Sequence, residues 1–156
     1  SYKTGRKIDG FFEYVVPPLE GLWWVEGARF DGVNITDKDR FCWISLIRQP
    51  EFVTEEVLAE AKRALAKKRP QLDVTKAKLT RYTEGLCVQA LHLGPYDDEP
   101  ETIARMEAFA AEQGYVNDIS QARPHHELYL SDPRRCAPER LKTVIRHPVR
   151  AVAGRD

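Results

Sequence analysis

The residues best suited to chemistry fall in one short run, His125-His126-Glu127-Leu128-Tyr129-Leu130-Ser131-Asp132. Read as a strand, it puts His126, Leu128 and Leu130 on one face and His125, Glu127, Tyr129 and Ser131 on the other. A carboxylate in mid-strand beside leucines is partly desolvated. Desolvation raises its pKa toward the range of a general acid or base and lets it attract a cationic ligand. A plainer reading stands beside this one: antiparallel sheets often keep one wet face, on which a glutamate is ordinary. Tyr129 emerges on the same side, about 7 Å along the strand, so a phenol and a carboxylate could grip one small molecule from two directions. Tyr129 also fits a core or rim position. Tyr96, in the turn Gly94-Pro95-Tyr96-Asp97-Asp98-Glu99-Pro100, is a third candidate, with turn packing as its alternative.

Trp23, Trp24 and Trp43 place all three indoles within 21 residues. An indole wall offers a flat apolar surface to aromatic rings and an N–H to a polar substituent; core packing explains each tryptophan equally well. Neighbours on a strand point to opposite faces, so only one of Trp23 and Trp24 can line a groove. Trp43 has the more favourable parity, opposite the Cys42, Ile44, Leu46 face that is assigned to the helices. His125 and His126 diverge, and no third ligand is spaced to meet them, so no metal centre is expected. Cys87 as a nucleophile would need a base such as His92, which lies five positions away and on the other face of its strand. His92 is grouped instead with the tryptophans as a candidate ligand contact. No glycine-rich phosphate loop is present and no cofactor is expected.

The elements that must position these side chains read as α+β. Residues 11–25, rich in aromatic and β-branched types, suggest an extended strand interrupted by Pro17 and Pro18, with a bulge or an edge position. A polar loop over residues 26–40 leads to a strand at 41–49. Thr54 is the expected N-cap of a helix with Glu55 and Glu56 in its first turn and Val57, Leu58, Ala61, Ala64 and Leu65 as its apolar stripe; Pro70 stops it. Residues 78–82 and 86–93 read as a hairpin turning at Thr83-Glu84-Gly85. A second helix runs from about residue 99 to 113, capped by Asp97 or Asp98 and ended by Gly114, with Ile103, Met106 and Ala110 buried. Strands at 125–132 and 142–148 complete a mostly antiparallel sheet.

Composition narrows the function. A chain of 156 residues with 42% hydrophobic and 31% charged side chains fits one domain with a core of its own. Its 24 basic residues cancel its 24 acidic ones, so no global field steers it toward nucleic acid or anionic lipid. The apolar runs are far shorter than the ~20 residues that cross a bilayer. Cys42, Cys87 and Cys136 are odd in number and widely spaced, which suits reduced thiols and a cytoplasmic location.

Several segments together resemble the GyrI-like small-molecule-binding domains: YVVPPLEGLWW, WISLIRQPEFVTEEV, GLCVQALHLGPYDDEPETI and HHELYLSDPRRCAPERLKTVIRHPV. The resemblance spans about Tyr14 to Val149. It implies a duplicated strand-helix-strand-strand (SHS2-like) architecture with helices on one face of the sheet, a ligand groove on the other, and an acidic residue at the groove floor where Glu127 stands. The first strand and helix of the first unit have no counterpart before Ser1. The chain is therefore expected to be the C-terminal portion of a longer protein, or to be completed by another polypeptide. The subgroup with this WW and HHELYLSD pattern resembles hydrolases that open the strained cyclopropane of yatakemycin- and duocarmycin-type genotoxins. That resemblance implies Glu127 as the base for a water, and Tyr129 or Tyr96 as donor to the developing oxyanion. The competing readings are a non-catalytic module that sequesters or senses aromatic, often cationic, drugs, and a protein partner that modulates gyrase.

Overall fold

Pro17 and Pro18 withhold two backbone donors, and regular pairing begins just beyond them at β1 (Leu19–Val25). The computed structural model describes residues 8–27 and 40–152, so most of the expected 26–40 loop lies outside the described residues. Two compact units emerge. One contains residues 8–17 and 48–83, the other residues 18–27, 40–47 and 84–152.

The larger unit is an antiparallel sheet with strand order β2-β1-β5-β6-β3, with β4 paired to the far end of β6. Its further strands are β2 (Phe41–Leu46), β3 (Cys87–Leu93), β4 (Tyr115–Asn117), β5 (His125–Tyr129) and β6 (Lys142–Ala151). The helix α2 (Glu99–Glu112) carries Pro100 in its first turn, where a missing N–H is tolerated. Gly114 follows it with φ +83°, a conformation glycine adopts without a Cβ clash. Ile103 and Met106 of α2 close over Ile145 of β6, flanked by Val88 and Ala90 of β3. Asp98 is the N-cap residue, but its side chain makes no capping bond.

In the smaller unit, α1 (Glu55–Lys68) starts at Thr54, whose hydroxyl accepts from the Val57 amide at 3.4 Å. None of its residues is buried. Phe11, Phe12, Tyr14 and Phe52 pack as an aromatic cluster with ring centroids 5.1–6.2 Å apart.

Three expectations change. Residues 78–82 form no strand, and β3 pairs with β6 instead of a hairpin arm. The reason lies at the intended turn: the carbonyls of Glu84 and Leu86 are taken by the Arg123 guanidinium at 2.7 Å each, and Leu86 O also accepts from Val149 N. The short strand β4 was not foreseen. Finally, α2 and Glu127 share one face of the sheet, because Ile145, which packs under α2, is the direct cross-strand neighbour of Glu127. No helix among the described residues is long and apolar enough to cross a membrane.

Candidate active site

Antiparallel register arranges the side chains in rows across one face. Trp43, Trp23 and His125 form the first row; Gly21, Glu127, Ile145 and Ala90 the second; Tyr129, Thr143 and His92 the third. Trp23 and Trp43 stack with centroids 5.7 Å apart and planes 28° from parallel. The Trp23 indole donates across Gly21 to the Tyr129 hydroxyl at 2.8 Å. A Cβ on Gly21 would stand 2.6 Å from the indole nitrogen and 2.8 Å from that hydroxyl, so only glycine leaves room for the bond.

Glu127 lies at the centre, its side chain 12% exposed. Its Oε1 is 2.8 Å from Nε2 of His125, and Tyr129 and Glu99 also hydrogen-bond to it. Burial pushes the Glu127 carboxyl up, but the bond from His125, the charge that imidazole carries when protonated, and the bonds from Tyr129 and Glu99 together hold it below the ordinary value. The carboxyl raised by desolvation is instead Glu99, at the first position of α2. Its burial, followed by the adjacent Glu127 charge and hydrogen bond, pushes it up to about 9. Glu99 therefore carries a proton at neutral pH and donates it to Glu127, while its Oε1 is buried without a partner. Tyr129 is pushed well up by burial and by the Glu127 charge, which keeps its hydroxyl a donor. The expectation of a raised Glu127 is thus corrected: three donors outweigh desolvation, and the raised pKa belongs to its neighbour.

Tyr96 sits in a 3-10 turn before α2, 39% exposed, with its ring edge-on to Tyr129 at 6.2 Å. His92 is buried with both ring nitrogens engaged, Nδ1 with Thr102 Oγ1 and Nε2 with Pro95 O, each at 2.9 Å. It pins the turn that presents Tyr96. Trp43 is 59% exposed. Trp24 belongs to the opposite parity, away from Glu127. Cys87 is pushed up by burial and the Glu84 charge, which suppresses its thiolate.

Sequence reasoning did not single out Glu99, or His125 as a partner of Glu127. One ligand atom each from Glu99, His125 and Glu127 lies within 4.8 Å of the others, a set that could hold a cation. An ion there would have to displace the His125–Glu127 bond and the Glu99 proton. A signal for Glu99 existed: it stands four residues before Ile103, on the same apolar stripe of α2.

The GyrI-like small-molecule-binding domain model matches residues 13–150, and the chain belongs to that family. Three solved structures from Listeria innocua are similar to it. One, described as a hydrolase, is 44% identical with a TM-score of 0.83, covering 95% of this chain and 70% of its own. A second, an uncharacterized conserved protein, is 48% identical with a TM-score of 0.86 over 95% and 71%. A third, a hydrolase encoded by lin2189, is 46% identical with a TM-score of 0.83 over the same shares. No curated protein matches.

Proposed function

We propose that the chain hydrolyses flat aromatic small molecules, and that its substrates are cyclopropanoid genotoxins of the yatakemycin and duocarmycin type, opened by water for detoxification. The observation that carries this reading is the buried Glu127 carboxylate, set among His125, Tyr129 and Glu99 beside the stacked Trp23 and Trp43. The description of two similar Listeria proteins as hydrolases supports it. Glu127 takes a proton from a water while the water oxygen bonds to the cyclopropyl carbon. The strained C–C bond breaks, its electron pair moves into the ring system, and the dienone oxygen becomes a phenolate that takes up a proton. Tyr96 suits that last donation better than Tyr129, whose single hydroxyl proton is committed to Glu127. Glu99 and Glu127 share one proton, so the pair presents one charge and not two. Trp23 and Trp43 hold the aromatic body, and ring strain supplies much of the driving force.

One observation favours a second reading. Three donors hold Glu127 ionised, which weakens it as a base and suits it to pairing with a cationic aromatic ligand, as in a module that sequesters or senses drugs. Incubation with a spirocyclopropyl dienone separates the two. Catalytic formation of the water adduct, read by mass, supports hydrolysis; stoichiometric protection without product supports binding. Glu127→Gln is expected to lower turnover at least about 100-fold with affinity largely kept. Undiminished turnover in that variant removes Glu127 as the base.

A further inference from the structure

Beneath α2 the contacts do not stop at His125. Its Nδ1 lies 2.7 Å from Nε2 of His147, and Nδ1 of His147 lies 3.2 Å from Oε1 of Glu107. Asn117 of β4 donates to the same Glu107 oxygen at 2.6 Å. The two imidazoles are 2% and 0% exposed, whereas the Glu107 side chain is 35% exposed. Glu107 and His147 line a pocket of about 340 Å³ with Asn117, Tyr115 and Val149. Glu99 and Glu107 are eight residues apart on one helix, about 12 Å along its axis. The chain of contacts therefore leads from the candidate site to a separate opening.

We propose that His125 and His147 form a proton path connecting Glu127 to Glu107, so that a proton gathered at the site leaves through the pocket between α2 and β4. The proposal rests on the reading of Glu127 as the base. Counting donors supports the path. Three contacts, Glu127 to His125, His125 to His147, and His147 to Glu107, need three protons, and two neutral imidazoles bring only two. One further proton belongs to the chain as a whole. Passing each proton across its own contact carries one charge from Glu127 to Glu107 and inverts both tautomers. His125 is left again donating to Glu127, so each ring must recover its first tautomer before another proton follows. In the proposed reaction the O–H bond of the attacking water breaks and its proton reaches Glu127. A flat substrate lying on Trp23 and Trp43 would cover the aromatic side of the site. The protons then step from Glu127 to His125, from His125 to His147 and from His147 to Glu107, which releases one to solvent. The phenolate gains its proton at the mouth, so the overall reaction stays balanced. Besides the two rings, the titratable groups facing this path are Glu127 and Tyr129 from β5, Glu99 and Glu107 from α2, and Tyr115 from β4 at the pocket.

Imidazole ¹⁵N NMR of the whole chain tests the path without any substrate. Glu127→Gln is expected to displace the ring resonances of His147, and Glu107→Gln those of His125, each across an intervening ring. If only the directly bonded histidine responds in either variant, the path is refuted. With the spirocyclopropyl dienone, Glu107→Gln is expected to lower kcat about tenfold in dilute buffer at unchanged KM, with recovery as imidazole buffer is raised. A loss that buffer does not restore marks a purely structural role and overturns the proposal. Should the native chain not turn the dienone over, the proposed function fails while the NMR result still decides the path.

Discussion

At the scale of single residues, the site is governed by which carboxyl keeps the proton. Glu99 and Glu127 lie in one dry cluster, and two charges there would repel. The donors fall on Glu127, so it ionises and Glu99 does not. This has a sign that can be measured. Unfolded, the Glu99 carboxyl loses its proton near the ordinary value of 4.5; folded, it holds the proton up to about 9. Folding thus takes up a proton between those limits. Its contribution to stability is full below the lower one and declines as pH rises toward the upper, with a slope on the order of 1 kcal/mol per pH unit. Glu127, depressed by its donors, acts in the opposite sense, and its contribution is lost only as pH falls below the usual carboxylate range. Thermal unfolding from pH 5 to pH 9 should show the decline in the native chain. Glu99→Gln, whose amide can still donate to Glu127, should flatten it, and an unchanged slope would place the retained proton elsewhere.

At the scale of elements, β5 is the part most legible in sequence. The alternation of His125, Glu127 and Tyr129 with His126 and Leu128 fixes two faces before any partner is known. The ends of α1 and α2 were legible too, through Thr54, Pro100 and Gly114. What local pattern could not carry was pairing over distance. Glu99 stands 28 positions from Glu127, and nothing near either residue announces the other. The misread hairpin has the same origin, since a turn-like Thr83-Glu84-Gly85 is held by a residue from before β5. Arg123 spends all three guanidinium nitrogens there, on the carbonyls of Glu84 and Leu86 and on the Asp118 carboxylate at 2.9 Å. Arg123→Ala should cost about 2–3 kcal/mol and speed amide exchange over residues 84–87. Lysine should not restore it, having one point charge where a planar fork is needed. Exchange that stays slow would mean that the Val149 bond to Leu86 suffices to hold the entry of β3.

At the scale of the whole sheet, the two faces do different work with the same residue types. Opposite the candidate site, His126 lies buried with Nδ1 2.8 Å from Glu84 and Nε2 2.9 Å from Glu20, while Arg146 reaches Glu84 at 2.8 Å and Gln89 at 3.0 Å. The cluster ties β1, β5 and β6 to the entry of β3, and two carboxylates face two basic side chains. Both nitrogens of His126 donate only when the ring carries both protons. The group therefore works as a unit, and removing its centre strands two partly buried carboxylates. His126→Leu should destabilise the chain by about 3–5 kcal/mol, and replacing Glu20 and Glu84 by glutamine in the same chain should recover part of that loss, because the uncompensated charge goes with them. Denaturant unfolding of the single and triple variants measures both numbers. At a temperature where the single variant is still folded, it should match the native chain in the proposed water addition to the dienone, since Glu127, Tyr129 and Trp23 all lie on the other face. A triple variant no more stable than His126→Leu would show that the ring is held by packing, and that its carboxylate partners contribute little.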